Sequence, residues 1–304
     1  MQATTTHARL VARTLSLLVL GWFGPSLTAA EPLRWQFAPG QAFNFYVNQS
    51  MVLKTGERGE ITTTVVQRID MTWDVQAVSD DGVATIRASI GRLQISMDTP
   101  PSSQLAYDSL ADRPPVGMEA MLAETYDAMA KAKYEITLTP RGEVRGVTLP
   151  DELMETIKHR PGADGESGET VATAIKAMIT QGVFILPEEP PNVGDEWSDS
   201  AKVADPAFGD GTVETTYRYA GTRDIDGTTY VAIRPTVRLE FAGHNTHILA
   251  MKEQKTSGEY LFDPAAGRLR SMAYEQQATL DLTHGGQTVP GTIQQKVEVM
   301  VAGK

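Results

Sequence analysis

Between Ile61 and Ala77 the odd positions read Ile61, Thr63, Val65, Gln67, Ile69, Met71, Trp73, Val75, Ala77, while the even ones are mostly Thr, Arg, Asp and Gln. A period of two sends the first set to one side of a β-strand and the second to the other. At about 3.3 Å per residue this strand runs about 56 Å, so it must twist, bend or cross a large sheet. After Asp80-Asp81-Gly82 the alternation resumes through Val83, Ile86, Ala88 and Ile90, then slips phase to Leu93, Ile95 and Met97. That slip predicts a bulge near Gly91.

The same pattern returns downstream. Val213 to Arg223 and Thr229 to Ala242 flank "DIDG", and Arg268 to Leu282 and Gly291 to Val301 flank "THGGQTVP", each reading as a strand pair. Between these two sets of strands the period lengthens. Gly117 to Lys133, Asp151 to His159 and Glu169 to Gln181 space their apolar residues as helices do. Those helices can hide their apolar stripes only against a sheet or each other. The expected fold is therefore α+β: a curved, mostly antiparallel, half-barrel-like sheet with about three helices packed on one face.

Two further correspondences raise an internal duplication. "PGQAFNF" (39–45) resembles "VGDEW" (193–197), and "YEITLTPRGEVRGV" (134–147) resembles "GEYLFDPAAGRLRSM" (258–272). The halves would be 31–148 and 192–304, with a helical insert at 115–181.

Composition adds the compartment. The chain opens with Arg9 and Arg13 and no acidic residue, followed by "LSLLVLGWFGPSLTAAEP" from Leu15 to Pro32. A basic start, a short apolar core and a small-residue exit describe a Sec-type signal peptide over 1–30, leaving 31–304 as a single exported domain in the periplasm or outside the cell. There is no cysteine, hence no disulfide, thiolate metal site or thiol nucleophile. Without Arg9 and Arg13, 25 basic residues face 38 acidic ones, a net charge near −13. Such a surface repels phosphates, so nucleic acid is not an expected partner. No apolar run after the leader reaches spanning length.

The candidate chemistry is sparse. Asp80 and Asp81 beside Gly82, and Asp224 and Asp226 beside Gly227, have the residue types of hairpin turns, and the second set lacks the rest of a calcium-loop ligand series. His244 and His247 are three apart, which on a strand sends them to opposite faces. Ser167 in "DGESGE" has Glu169 where a nucleophile elbow needs glycine, and suits a helix N-cap instead. No phosphate-binding glycine loop occurs. Neither a metal nor a cofactor is expected, and no catalytic residue is nominated.

One feature points to binding. Met118, Met121, Met129, Met154 and Met178 lie on the apolar stripes of the three helices. Flexible thioethers suit surfaces that accommodate variable apolar partners, and they also fill gaps in ordinary cores. With Leu122 and Trp73 they are the candidate ligand-binding residues.

The stretches "LRWQFAPGQAFNFYV", "QRIDMTWDVQAVSDDGVATI", "TLTPRGEVRGV", "LPEEPPNVGDEW" and "GEYLFDPAAGRLR" resemble those of an uncharacterised family of exported bacterial proteins. The resemblance covers most of the mature chain and implies a shared β-rich fold, without catalytic residues. By architecture alone, the expected shape also resembles the half-barrel carriers of lipids in bacterial envelopes. The leading expectation is a non-enzymatic envelope protein that binds an apolar ligand or lipid between helices and sheet. The alternative is a structural or protein-interaction module of the envelope.

Overall fold

The computed structural model describes residues 31–302 except 57–60, 102, 160–164, 206–208, 242–246 and 285. The leader expected over 1–30, and His244, lie outside the described residues. The elements run β1 (Ala42–Thr55), β2 (Ile61–Val78), β3 (Ala84–Thr99), β4 (Ser103–Asp108), α1 (Met118–Lys131), β5 (Lys133–Leu138), β6 (Val144–Thr148), α2 (Asp151–Lys158), α3 (Gly165–Ile179), β7 (Glu196–Asp205), β8 (Gly209–Ile225), β9 (Thr228–Phe241), β10 (His247–Asp263), β11 (Arg268–His284) and β12 (Gln287–Ala302).

All the strands join one open, curved antiparallel sheet in the order β6-β5-β3-β2-β1-β12-β11-β10-β9-β8-β7, with β4 paired to β3 off that path. Read from β7, this is an up-and-down meander to β12 that continues through β1 to β6. The chain passes from β6 to β7, the two ends of the sheet, by way of α2 and α3. A sheet of twelve strands curls because each strand adds its own right-handed twist.

Local chemistry sets the corners. At Ser79–Gly82 the amide of Gly82 donates to Ser79 O (2.8 Å), Ser79 Oγ donates to Asp81, and Gly82 takes φ +80°. The aspartate pair is thus a hairpin turn, as is Asp226-Gly227, where φ is +51° and +78°. The expected slip near Gly91 is real: Asp70 pairs with Arg92 but Met71 with Ile90, so Gly91 is the extra residue of a bulge.

Two of the stretches likened in sequence make the same pair of turn hydrogen bonds. Gly40 (φ +80°) donates to Val75 O, and Val75 N returns to Gln41 O, at the foot of β1 and β2; Gly194 (φ +100°) donates to Tyr219 O, and Tyr219 N returns to Asp195 O, at the foot of β7 and β8.

The helices form over the expected stretches with complementary charge at their ends. α2 opens with Asp151 and Glu152 and closes with Lys158, matching the helix dipole. α3 starts at Gly165, earlier than the apolar spacing indicates, so Ser167 falls inside its first turn and does not cap it. α1 packs on β3 and β4, α3 packs on β7, and α2 packs between the other two helices.

Beneath them a strap, residues 181–187, runs along the inner face and is pinned on both sides. Trp35 Nε1 donates to Phe184 O (3.2 Å), Trp197 Nε1 to Ile185 O (2.7 Å), and Leu186 N to Arg141 O (2.7 Å). Arg34 adds bonds to Pro187 O and Glu188 O. Phe184 sits among Trp35, Tyr217, Tyr260 and Phe262, so the strap is the centre of an aromatic core.

Gly142 is where backbone closeness is tightest. At φ +87° a Cβ there would lie 2.1 Å from Phe184 O and 2.7 Å from Trp35 Nε1, whereas a Cβ on Gly40, at similar φ, meets nothing within 4 Å. Gly40→Ala should therefore cost only the left-handed backbone term, about 1 kcal/mol, while Gly142→Ala should cost on the order of 3 kcal/mol or more by displacing the strap. Thermal melts of the two variants check this, and equal losses would contradict the role given to the strap.

Candidate functional site

The strand alternation gives the sheet two chemically distinct faces. The inner face, toward helices and strap, takes Phe43 to Leu53 from β1, Thr63 to Val75 from β2, and Ala84 to Ile90 then Leu93 to Met97 from β3, at alternate positions. It continues with Leu249, Met251, Gln254, Thr256, Gly258, Tyr260 and Phe262 of β10, Met272 to Leu282 of β11, and Val289 to Val301 of β12, the last two at alternate positions. None of these residues is Asp, Glu, Lys or Arg. The charges of the same strands, such as Lys54, Arg68, Asp70, Arg92, Lys255, Glu275 and Glu298, point outward.

Helices and strap cover only the lower half of this face. Phe45, Val47, Ile69, Met71, Trp73, Leu93, Val297 and Val299 are buried in the main core. Above Val47 and Ile69 the same face continues with Met51, Leu53, Val65, Met97 and Ile293, which are half-buried and stand outside that core. On β9, β10 and β11 the curl of the sheet buries a separate small group, Val237, Leu249, Ala278 and Leu280.

The nominated residues are divided by this geometry. Trp73, Met129 and Met178 are buried in the main core, and Met154 packs against it half-buried. Met118, Met121 and Leu122 lie in α1, but their side chains lie outside the described residues. The apolar cavity beside Trp73, lined by Trp35, Phe37, Phe43, Phe45, Arg268, Leu269 and Val301, is about 10 Å³, room for a single water. Trp73 donates its indole N–H to Met71 Sδ at 3.4 Å. These side chains place their apolar surface against one another.

What the alternation did not single out is a belt of amides at the border between the covered and open halves. Gln49 faces Gln67 across β1 and β2, and Gln276 faces Gln295 across β11 and β12. Gln181, where the strap begins, donates Nε2 to Gln49 Oε1 at 2.9 Å, while its own Oε1 is buried without a partner. Gln276 is buried and donates to Gln254 Oε1 (3.2 Å) and Val237 O (3.4 Å). Glutamines at strand positions reading inward are the sequence signal that could have found the belt.

The belt ends at a seam. β9 and β10 share backbone pairs only at Tyr260↔Ile233, Leu261↔Ala232 and Phe262↔Val231. Above these, side chains replace the ladder: Gln254 accepts from Leu239 N (2.8 Å) and donates to Leu239 O (2.9 Å), and Thr256 accepts from Val237 N (3.0 Å). The nearby phenols of Tyr217, Tyr260 and Tyr274 are held above their ordinary range, chiefly by burial, and stay neutral.

The outer face carries two concavities. One, about 250 Å³, runs from Lys54 over Thr292 and Gln294 to Glu253 and Lys255; the other, about 430 Å³, is lined by Arg68, Gln94, Tyr107, Asp108 and Arg113. In the second, Asp108 accepts from Arg92 (2.7 and 3.2 Å), Gln94 (3.0 Å) and Leu110 N (3.0 Å), which hold its carboxyl down to about 2. Among the described residues no group of three or more His, Asp or Glu is arranged to hold a metal ion, and no helix is long and apolar enough to cross a membrane.

A depressed carboxyl stabilises the fold above its unfolded value, near 4, and loses that contribution as pH falls toward 2. Asp108→Asn should lower stability at pH 7 by about 1 kcal/mol, given the exposure of the pair. Denaturant melts should show that deficit shrinking between pH 4 and pH 2, and a pH-independent deficit would contradict the ion-pair account.

Residues 81–238, from the turn after β2 into β9, match a family of unknown function, DUF6263. No curated protein matches. A solved structure described as lipid–protein interactions in lipovitellin is similar over 88% of this chain and 26% of that one, with 10% sequence identity and a TM-score of 0.49. The chain thus spans about a quarter of that protein's length, and a likeness of this degree leaves function to be read from the surfaces described above.

Proposed function

The chain belongs to DUF6263, a family of unknown function, and we propose that it is an exported, non-enzymatic envelope protein that holds an apolar molecule against the open upper half of its inner sheet face. The observation that carries this reading is the uncharged inner face of β1, β2, β3, β10, β11 and β12, in a chain whose residues are 21% charged. Strands that end at the helical layer would need no such face above it. A solvated upper half would tolerate Lys or Glu at Met51, Val65, Met97 or Ile293, and all four are apolar.

Burying that stripe against an alkyl chain gains roughly 25 cal/mol for each Å² of apolar surface removed from water. The site moves from the interface between helices and sheet to the face the helices leave open. The arginine-rich start and apolar stretch of the leader support export. A surface module is the second reading, supported by the two outward concavities at Lys54/Lys255 and Arg68/Asp108.

Solvent extraction and native mass spectrometry of the protein purified from its own host should recover a bound apolar molecule. The stripped protein should bind the apolar dye N-phenyl-1-naphthylamine. Val65→Lys, which puts an ammonium on the half-buried stripe away from the main core, should weaken dye binding at least tenfold while leaving the melting temperature within a few degrees. Ligand-free protein that also fails to bind the dye would overturn the proposal and leave the surface reading.

A further inference from the structure

The polar groups on the inner face are as selective as its apolar ones. Every polar side chain there is uncharged: Thr63, Gln67, Gln49, Gln295, Gln276, Gln254 and Thr256, with Tyr274 one strand pair below. The glutamines and Thr256 form a staggered band across β2, β1, β12, β11 and β10: Gln67 and Gln49 lie one step nearer the aromatic core, Gln295, Gln276 and Thr256 lie level with Val65 and Met51, and Gln254 and Thr63 lie one step further out. The band is only partly satisfied. Gln254 and Thr256 are used up on the backbone of β9, and Gln276 is bonded to Val237 and Gln254. At the other end, among the described residues, Gln67 and Gln295 are half-buried with no side-chain hydrogen bond, and Gln181 Oε1 is buried without a donor. A buried acceptor left unpaired is costly, so a hydrogen-bond donor is due at this level.

A ligand entering here meets amides that both donate and accept, and meets no cation. A free carboxylate or phosphate drawn into this band would lose its hydration without gaining a counter-charge. An uncharged carbonyl linkage would match the donors of Gln67 and Gln295, and an amide N–H or a hydroxyl beside it would donate to Gln181 Oε1, while the chain lay on Met51, Val65, Met97 and Ile293. Resting on the reading of the inner face as a ligand site, we infer that its ligand is an acyl chain joined through an uncharged ester or amide linkage, held with that linkage at the glutamine band.

The test uses the full mature chain loaded with N-phenyl-1-naphthylamine, displaced in parallel by 1-monooleoylglycerol and by oleate at pH 8. These carry the same chain and differ in the neutral ester against the free carboxylate. The ester should displace the dye at a concentration at least tenfold lower. Gln67 and Gln295 have no partner to leave stranded, so Gln67→Met/Gln295→Met should fold like the parent, which circular dichroism melts verify. In that variant the preference for the ester should fall to about threefold or less.

Equal displacement by ester and oleate on the parent protein would overturn the inference while leaving the apolar site standing. A preference that survives the double substitution would overturn the role of the band. Failure of the dye to bind the parent at all would remove both the site and the inference.

Discussion

The structure depends on the period of two being kept over strands of 14 to 18 residues in β1, β2, β3, β10, β11 and β12. One register error anywhere along such a strand would carry its charges to the inside. Where the phase slips, at Gln76 in β2, at Gly91 in β3, between Met251 and Gln254 in β10 and at Arg270 in β11, an irregularity absorbs the extra residues and the alternation resumes. The result is a sheet whose six central strands keep their acidic and basic residues off the inner face, apart from Arg268 at the start of β11, which borders the small cavity beside Trp73. That separation does more than build a core, because it extends above the part of the sheet that the helices and strap cover.

Coverage is limited by what lies between the two ends of the meander. The connection from β6 to β7 supplies two helices and a strap, and α1 adds a third helix at the β3 and β4 side. The strap is held through carbonyls taken by two tryptophans and an arginine from two separate parts of the chain, the neighbours Arg34 and Trp35 and the distant Trp197. This closes the lower half into a close-packed aromatic interior. Three short helices cannot also roof strands about 50 Å long, so Met51, Leu53, Val65, Met97 and Ile293 remain half-buried. Position above the strap, and not any special side chain, makes the upper face available.

Much of this was legible in the sequence because the signals were periodic. The odd positions from Ile61 to Ala77, the slip at Gly91 and the Asp-Asp-Gly and Asp-Ile-Asp-Gly turns each specify local geometry, and each appears as expected. The helical stripes were equally plain, but a stripe does not say what it packs against. Met129 and Met178 read alike as cavity lining or core filling, and only the assembled structure shows both buried in the main core. The glutamine band was not legible for a related reason. Gln49, Gln67, Gln181, Gln254, Gln276 and Gln295 come from far-apart segments, and only the pairing of β1 with β12 brings the two groups of strands side by side, with Gln295 one step beyond Gln49. The seam was hidden too, since nothing in Gln254 or Thr256 announces that it will replace a backbone ladder.

Photolabelling by a monoacylglycerol bearing a diazirine along its chain, followed by peptide mapping, tests the central claim most directly. If the upper inner face is the site, the label enters the peptides containing Met51, Val65, Met97 and Ile293 and is competed by unlabelled ester. Label concentrated instead in α1, α2 and α3 or on the outer face around Lys54 and Arg68, or spread without competition, would contradict it.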